Sequence, residues 1–203
     1  KALTSLDISG SFCFSLSSYV GMRDAGAKAM ANALMCNSTL TALHIACFNI
    51  SPEGARAMAE ALQQNSTLKE LNIAENRISD EGAKAIAEAL KQNCTLTKLN
   101  MASNNISAHG AIAVAEALKQ NRALKELDIG SNSIFVKGAK AIAAALTQNQ
   151  ALTTLNVDGC SIFAEGATAF AEALKQNQSL AKLNLSLCNV SDEGAGAIAE
   201  GLK

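Results

Sequence analysis

Leucine recurs along this chain in a fixed frame. The pattern Leu-x-x-Leu-x-(Ile/Leu/Val/Met) begins at Leu40, Leu68, Leu96, Leu124, Leu152 and Leu180, each start 28 residues after the one before. A seventh start, Leu3, precedes Leu40 by 37 residues, so the first unit carries nine additional residues. A fixed period of this length is the mark of a solenoid. Inside each unit, alternation such as Leu71-Asn72-Ile73 predicts a short strand with one buried face. The following segment places Ala83, Ile86, Ala87 and Leu90 at helical spacing, which predicts an amphipathic helix. A glycine opens that helix in all seven units, at Gly26, Gly54, Gly82, Gly110, Gly138, Gly166 and Gly194.

The helix boundaries carry their own signals. Ser51, Ser79, Ser107 and Ser191 stand where an N-cap side chain is needed, and Pro52 occupies a first helical position where a missing N–H costs nothing. Asn37, Asn65, Asn93, Asn121, Asn149 and Asn177 lie just past the helices, which predicts left-handed C-caps. No unit of this size buries its apolar face alone, so neighbours must close it. Strands pair about 4.8 Å apart while helices need about 10 Å. The expected architecture is therefore α/β: a curved leucine-rich solenoid of seven strand–helix repeats, with a parallel concave sheet and outer helices. Residues 1–203 read as a single domain, either a fragment or a near-complete repeat array without terminal caps, whose ends could support self-association.

Composition narrows the picture further. The chain is 49% hydrophobic but has one proline, no tryptophan, six phenylalanines and one tyrosine, so its core must come from small aliphatic side chains. A formal net charge of −1 gives no electrostatic basis for nucleic-acid binding. No apolar run is long enough for membrane insertion, and no leader pattern opens the sequence. Six cysteines are too few for a disulfide scaffold.

The repeat L-x-x-L-x-I-x-x-N/C-x-I-x-x-x-G-A-x-x-I-x-x-x-L, filled position after position, resembles the ribonuclease-inhibitor-like leucine-rich repeats across essentially the whole chain. Similar repeats occur in nucleotide-binding innate-immune receptors, in the activator of the Ran GTPase and in bacterial effectors that act inside host cells. The resemblance implies a non-enzymatic protein-interaction module, cytoplasmic or in the host cytosol. A bacterial effector is the preferred role; an immune sensor domain and a GTPase activator are the alternatives. It also implies that Cys160 and Cys188, which replace the asparagine held at Asn76, Asn104 and Asn132, point inward and serve the backbone of the turn. They are one strand step apart, which leaves a disulfide open, but reduced buried thiols are the preferred reading. A true ribonuclease inhibitor would be richer in cysteine and strongly acidic.

No catalytic, metal or cofactor site is expected. His44 falls in a strand and His109 just before a helix, so both read as separate surface histidines, and no phosphate loop or nucleophile motif is present. What remains is binding. On the concave sheet one column runs Ser5, Ala42, Glu70, Lys98, Glu126, Thr154, Lys182, and a second runs Asp7, His44, Asn72, Asn100, Asp128, Asn156, Asn184. A third includes Ala74, Ala102, Gly130 and Asp158. Lys98, Glu126, Asp128 and Asp158 are the candidate partner contacts there, against the plainer reading of a solvated, self-paired strip.

Two interruptions of the repeat add candidates. Phe135 and Phe163 replace the cap serine in successive units, at an expected cost of ~1 kcal/mol each. They either stack as local packing or form an apolar rim for a partner. The extra residues of the first unit, Phe12 to Val20, read as a cover for the solenoid's end or as a protruding binding loop. Lys84, Glu88, Lys91 and Gln92 read as a solvated outer face.

Overall fold

The computed structural model describes residues 2–10 and 23–203; the additional segment Phe12–Val20 lies outside them. Strand and helix alternate without exception among the described residues: β1 (Ser5–Asp7), α1 (Arg23–Cys36), β2 (Ala42–His44), α2 (Pro52–Gln64), β3 (Glu70–Asn72), α3 (Ser79–Gln92), β4 (Lys98–Asn100), α4 (Ala108–Gln120), β5 (Glu126–Asp128), α5 (Phe135–Leu146), β6 (Thr154–Asn156), α6 (Phe163–Leu174), β7 (Lys182–Asn184) and α7 (Ser191–Gly201). The strands form one parallel sheet in chain order, so each repeat pairs only with its neighbours. Register follows the sequence frame throughout: Glu70 lies beside Lys98, and Lys98 beside Glu126. Every strand is three residues long, and within each the central leucine packs against the core.

That core is a column of repeated positions. Leu71, Ile73, Ala83, Ile86, Ala87 and Leu90 are all buried, as are their counterparts Leu99, Met101, Ala111, Val114, Ala115 and Leu118. Alanine on the helix flanks permits close helix–helix approach. The glycine that opens each helix does the same: a Cβ on Gly110 would sit 2.7 Å from Ile106 Cγ2 and 2.7 Å from Asp80 Oδ1.

Two asparagine ladders run through the stack. Asn132 donates from Nδ2 to the carbonyls of Met101, Ile129 and Gly130, and its Oδ1 accepts from the N–H groups of Asn104 and Ile106. Cys160 and Cys188 continue this ladder with one thiol donation each, to Ile129 O and Val157 O. Both thiols are free, and burial pushes Cys160 up to about 12 and raises Cys188 as well. The second ladder corrects an expectation. Asn65, Asn93 and Asn121 are not left-handed but extended, with φ of −81°, −71° and −70°. Their side chains reach the preceding repeat instead: Asn93 Nδ2 donates to Leu62 O and Asn65 O, while Oδ1 receives the N–H groups of Thr95 and Leu96. A buried amide that braces two repeats outweighs a terminal cap.

The helix starts also depart from a uniform serine cap. Ser51 and Ser107 are extended and accept from Glu53 N–H and His109 N–H. Ser79 and Ser191 do not cap; they are left-handed, at φ 54° and 58°. Phe135 and Phe163 share that second conformation, at 50° and 58°, so they do not forfeit a cap. What separates the two classes is a carboxylate on the preceding helix. Asp24 accepts from Ser51 N–H and Oγ–H and from Gly54 N–H; Asp80 does the same for Ser107 and Gly110.

Candidate protein-binding surface

The concave sheet is built so that its outward side chains also hold the turns beneath them. Asn72, Asn100, Asp128, Asn156 and Asn184 each accept, through Oδ1, the N–H two residues onward. This is the local side chain–backbone turn that Asx residues favour. His44 is the exception in the column. There the turn's N–H, on Ala46, is received by Ser9 Oγ of the preceding repeat at 3.2 Å. The imidazole is thereby released to lie between two acids, Nδ1 3.6 Å from Asp7 Oδ2 and Nε2 3.2 Å from Glu70 Oε1, the latter not aligned for a hydrogen bond. His109 does not precede a helix but lies in the first turn of α4, its backbone held by Ser107.

The candidate residues fall into two groups. Lys98 and Glu126 are half-exposed neighbours joined by a 3.3 Å ion pair. With Glu70, Asp128, Thr154 and Asn156 they line a shallow depression of about 260 Å³ in the middle of the sheet. Asp128 is already engaged at both oxygens, by Gly130 N–H and by Asn156 Nδ2 at 3.0 Å. Asp158, at the upper margin, keeps a buried Oδ1 with no hydrogen-bond partner. Such an exposed ion pair stabilises by at most ~1 kcal/mol and is screened by salt, so it is available for exchange with a partner's charges.

Phe135 and Phe163 lie elsewhere, on the edge where strands lead into helices. They are 48% and 42% exposed, and they open α5 and α6. Their N–H groups donate to Cys160 O and Cys188 O, which fixes each to the following repeat. A left-handed backbone costs an ordinary residue about 1–2 kcal/mol. At the same place three of the other repeats hold Arg23, Ser79 and Ser191 in the same conformation. The left-handed backbone therefore forms here without an aromatic ring.

The sequence pattern did not single out Leu187, which is 82% exposed and left-handed at φ 52°. Its signal lies in the repeat column Cys47, Glu75, Ser103, Ser131, Gly159, Leu187, all with positive φ, where leucine is the one large aliphatic residue. No helix among the described residues is long and apolar enough to cross a membrane.

The same repeat frame is found in known proteins. The TMOD/LMOD leucine-rich domain profile matches residues 49–133 and 76–163, and a leucine-rich repeat profile matches residues 36–59 and 176–199. No curated protein sequence matches the chain. Among solved structures, the actin-binding site 2 (ABS2) of leiomodin-1 is 26% identical, covers 71% of this chain and 87% of its own, and superposes with a TM-score of 0.58. A tropomodulin C-terminal domain from Caenorhabditis elegans, 18% identical, shares the fold over 87% of this chain and 90% of its own, with a TM-score of 0.57.

Proposed function

We propose, from the premise that this chain belongs to the leucine-rich-repeat family, that it is a non-enzymatic scaffold that binds a protein partner in the cytosol. The partner lies across the concave sheet and the adjoining rim. The observation that carries this reading is the central depression, where Lys98 and Glu126 form an exchangeable pair on a rigid, in-register sheet. In this reading Lys98, Glu126 and Asp158 meet the partner's polar groups. Asp128 orients the strip, and Phe135 and Phe163 add apolar contact. The leiomodin-1 neighbour is described as an actin-binding site, so actin is the partner to test first. The effector, immune-sensor and GTPase-activator roles rest on resemblance alone.

The test is titration of monomeric and filamentous actin with the chain and with a Lys98→Ala/Glu126→Ala variant. Saturable binding weakened about tenfold in the variant supports the reading, since charged pairs at the centre of an interface act at that scale. Equal binding by both chains, or none by the native chain, overturns it.

A further inference from the structure

We infer that the upper rim of the last three repeats is a docking ridge for a basic amphipathic helix of a protein partner. The inference rests on the scaffold reading and names the chemistry its rim would recognise. Phe135, Phe163 and Leu187 stand on one edge in three successive repeats, and all three are exposed. Their order along the edge is fixed by backbone bonds: Phe135 N–H to Cys160 O, and Phe163 N–H to Cys188 O, beside Leu187. Each of the three has a positive φ, which large side chains rarely adopt.

The backbone conformation does not call for large apolar groups here. The same left-handed positions hold Ser79 and Ser191 in one column and Ser103, Ser131 and Gly159 in the other. Serine satisfies the backbone at both places. Strained, exposed apolar residues that the architecture does not require are the kind of feature found where a protein engages a ligand.

Charge decides the kind of partner. Glu165 follows Phe163 by two residues, and Glu193 holds the same place in α7; both are exposed. Lys137, beside Phe135, offsets one of these charges, so the ridge keeps a negative margin. An apolar ridge with acidic flanks fits a helix with one apolar face and lysine or arginine along its borders.

The experiment uses two synthetic probes, a leucine–lysine amphipathic helical peptide and its leucine–glutamate counterpart. Each is titrated into the native chain and into the triple variant Phe135→Ser/Phe163→Ser/Leu187→Ser, whose serines are those of equivalent repeat positions. The lysine probe is expected to bind the native chain, the glutamate probe not to bind, and the triple variant to lose about tenfold or more in affinity, as removal of buried apolar anchors does. The variant should melt at the same temperature as the native chain or higher, which separates lost contact from lost fold. Binding of the lysine probe that survives the triple substitution, preference for the glutamate probe, or no binding of either overturns the ridge. A variant that melts well below the native chain also overturns it, by showing the three side chains to be packing. None of these outcomes bears on the Lys98–Glu126 strip, whose actin titration stands apart.

Discussion

Asp80 of α3 holds Ser107 of the next repeat by two bonds, 2.7 Å from its N–H and 2.6 Å from its hydroxyl, and reaches Gly110 N–H at 2.9 Å. Asp24 and Ser51 repeat the arrangement. Burial alone would push both carboxyls up. The hydrogen bonds from the serine hydroxyl, its N–H and the glycine N–H together outweigh it and hold both below the usual carboxylate range. A depressed folded value gives stability that is fully present above the unfolded value, near ~4, and is lost as pH falls through the folded one. Thermal melting should therefore be flat from neutral pH to about 5 and then decline with acid. An Asp24→Asn/Asp80→Asn chain should melt lower at neutral pH and show a smaller acid decline. Calorimetry across pH checks this, and parallel profiles for the two chains would refute it.

The inner ladder makes a graded expectation. Asn132→Ala leaves two N–H groups and the carbonyls of Met101 and Gly130 without their side-chain partner, while Ile129 O keeps the Cys160 thiol, at a cost of ~2–4 kcal/mol. Asn132→Cys should cost less, because Cys160 and Cys188 hold the equivalent places with one thiol bond each. Urea unfolding of the three chains should rank them native, cysteine, alanine.

Two glycines should respond to alanine with opposite signs. Gly110→Ala drives a Cβ into Asp80 Oδ1 and Ile106 Cγ2 and should destabilise by about 1–3 kcal/mol. Gly196, inside α7, has nothing within 4 Å of an added Cβ, and its replacement should stabilise by about 0.4–1 kcal/mol. Denaturation midpoints of the two variants give the signs directly.

Removing Leu99, fully inside the stack, should cost ~2–5 kcal/mol as Leu99→Ala. Lys98→Ala, one residue away on the open face, should change stability by less than about 1 kcal/mol. Equilibrium unfolding of both variants tests whether the core position, and not the open face beside it, carries the stability.

The repeat frame made strands, helices, register and core legible, because a step of 28 residues leaves each buried leucine one place to go. Long-range choices were not legible from local pattern. Ser79 and Ser107 are the same residue in the same frame, yet one is left-handed and the other caps its helix. The difference comes from residue 27 positions earlier: Asp80 behind Ser107, Pro52 behind Ser79. Reading that offset as a pair would have found it. Asn65 and its counterparts resemble terminal caps until the preceding repeat is in place to receive their amides. Of the candidate surface, the Lys98–Glu126 contact followed from register. Leu187 did not, because an exposed leucine is unremarkable until its backbone conformation is known.

Hydrogen exchange on the chain with and without bound actin tests the central claim most directly. Slowed exchange confined to β4–β6 and to the first turns of α5 and α6 is expected, with the outer helical surface around Lys84 and Lys140 unchanged. Protection on that outer surface, with the concave strands unaffected, would contradict it.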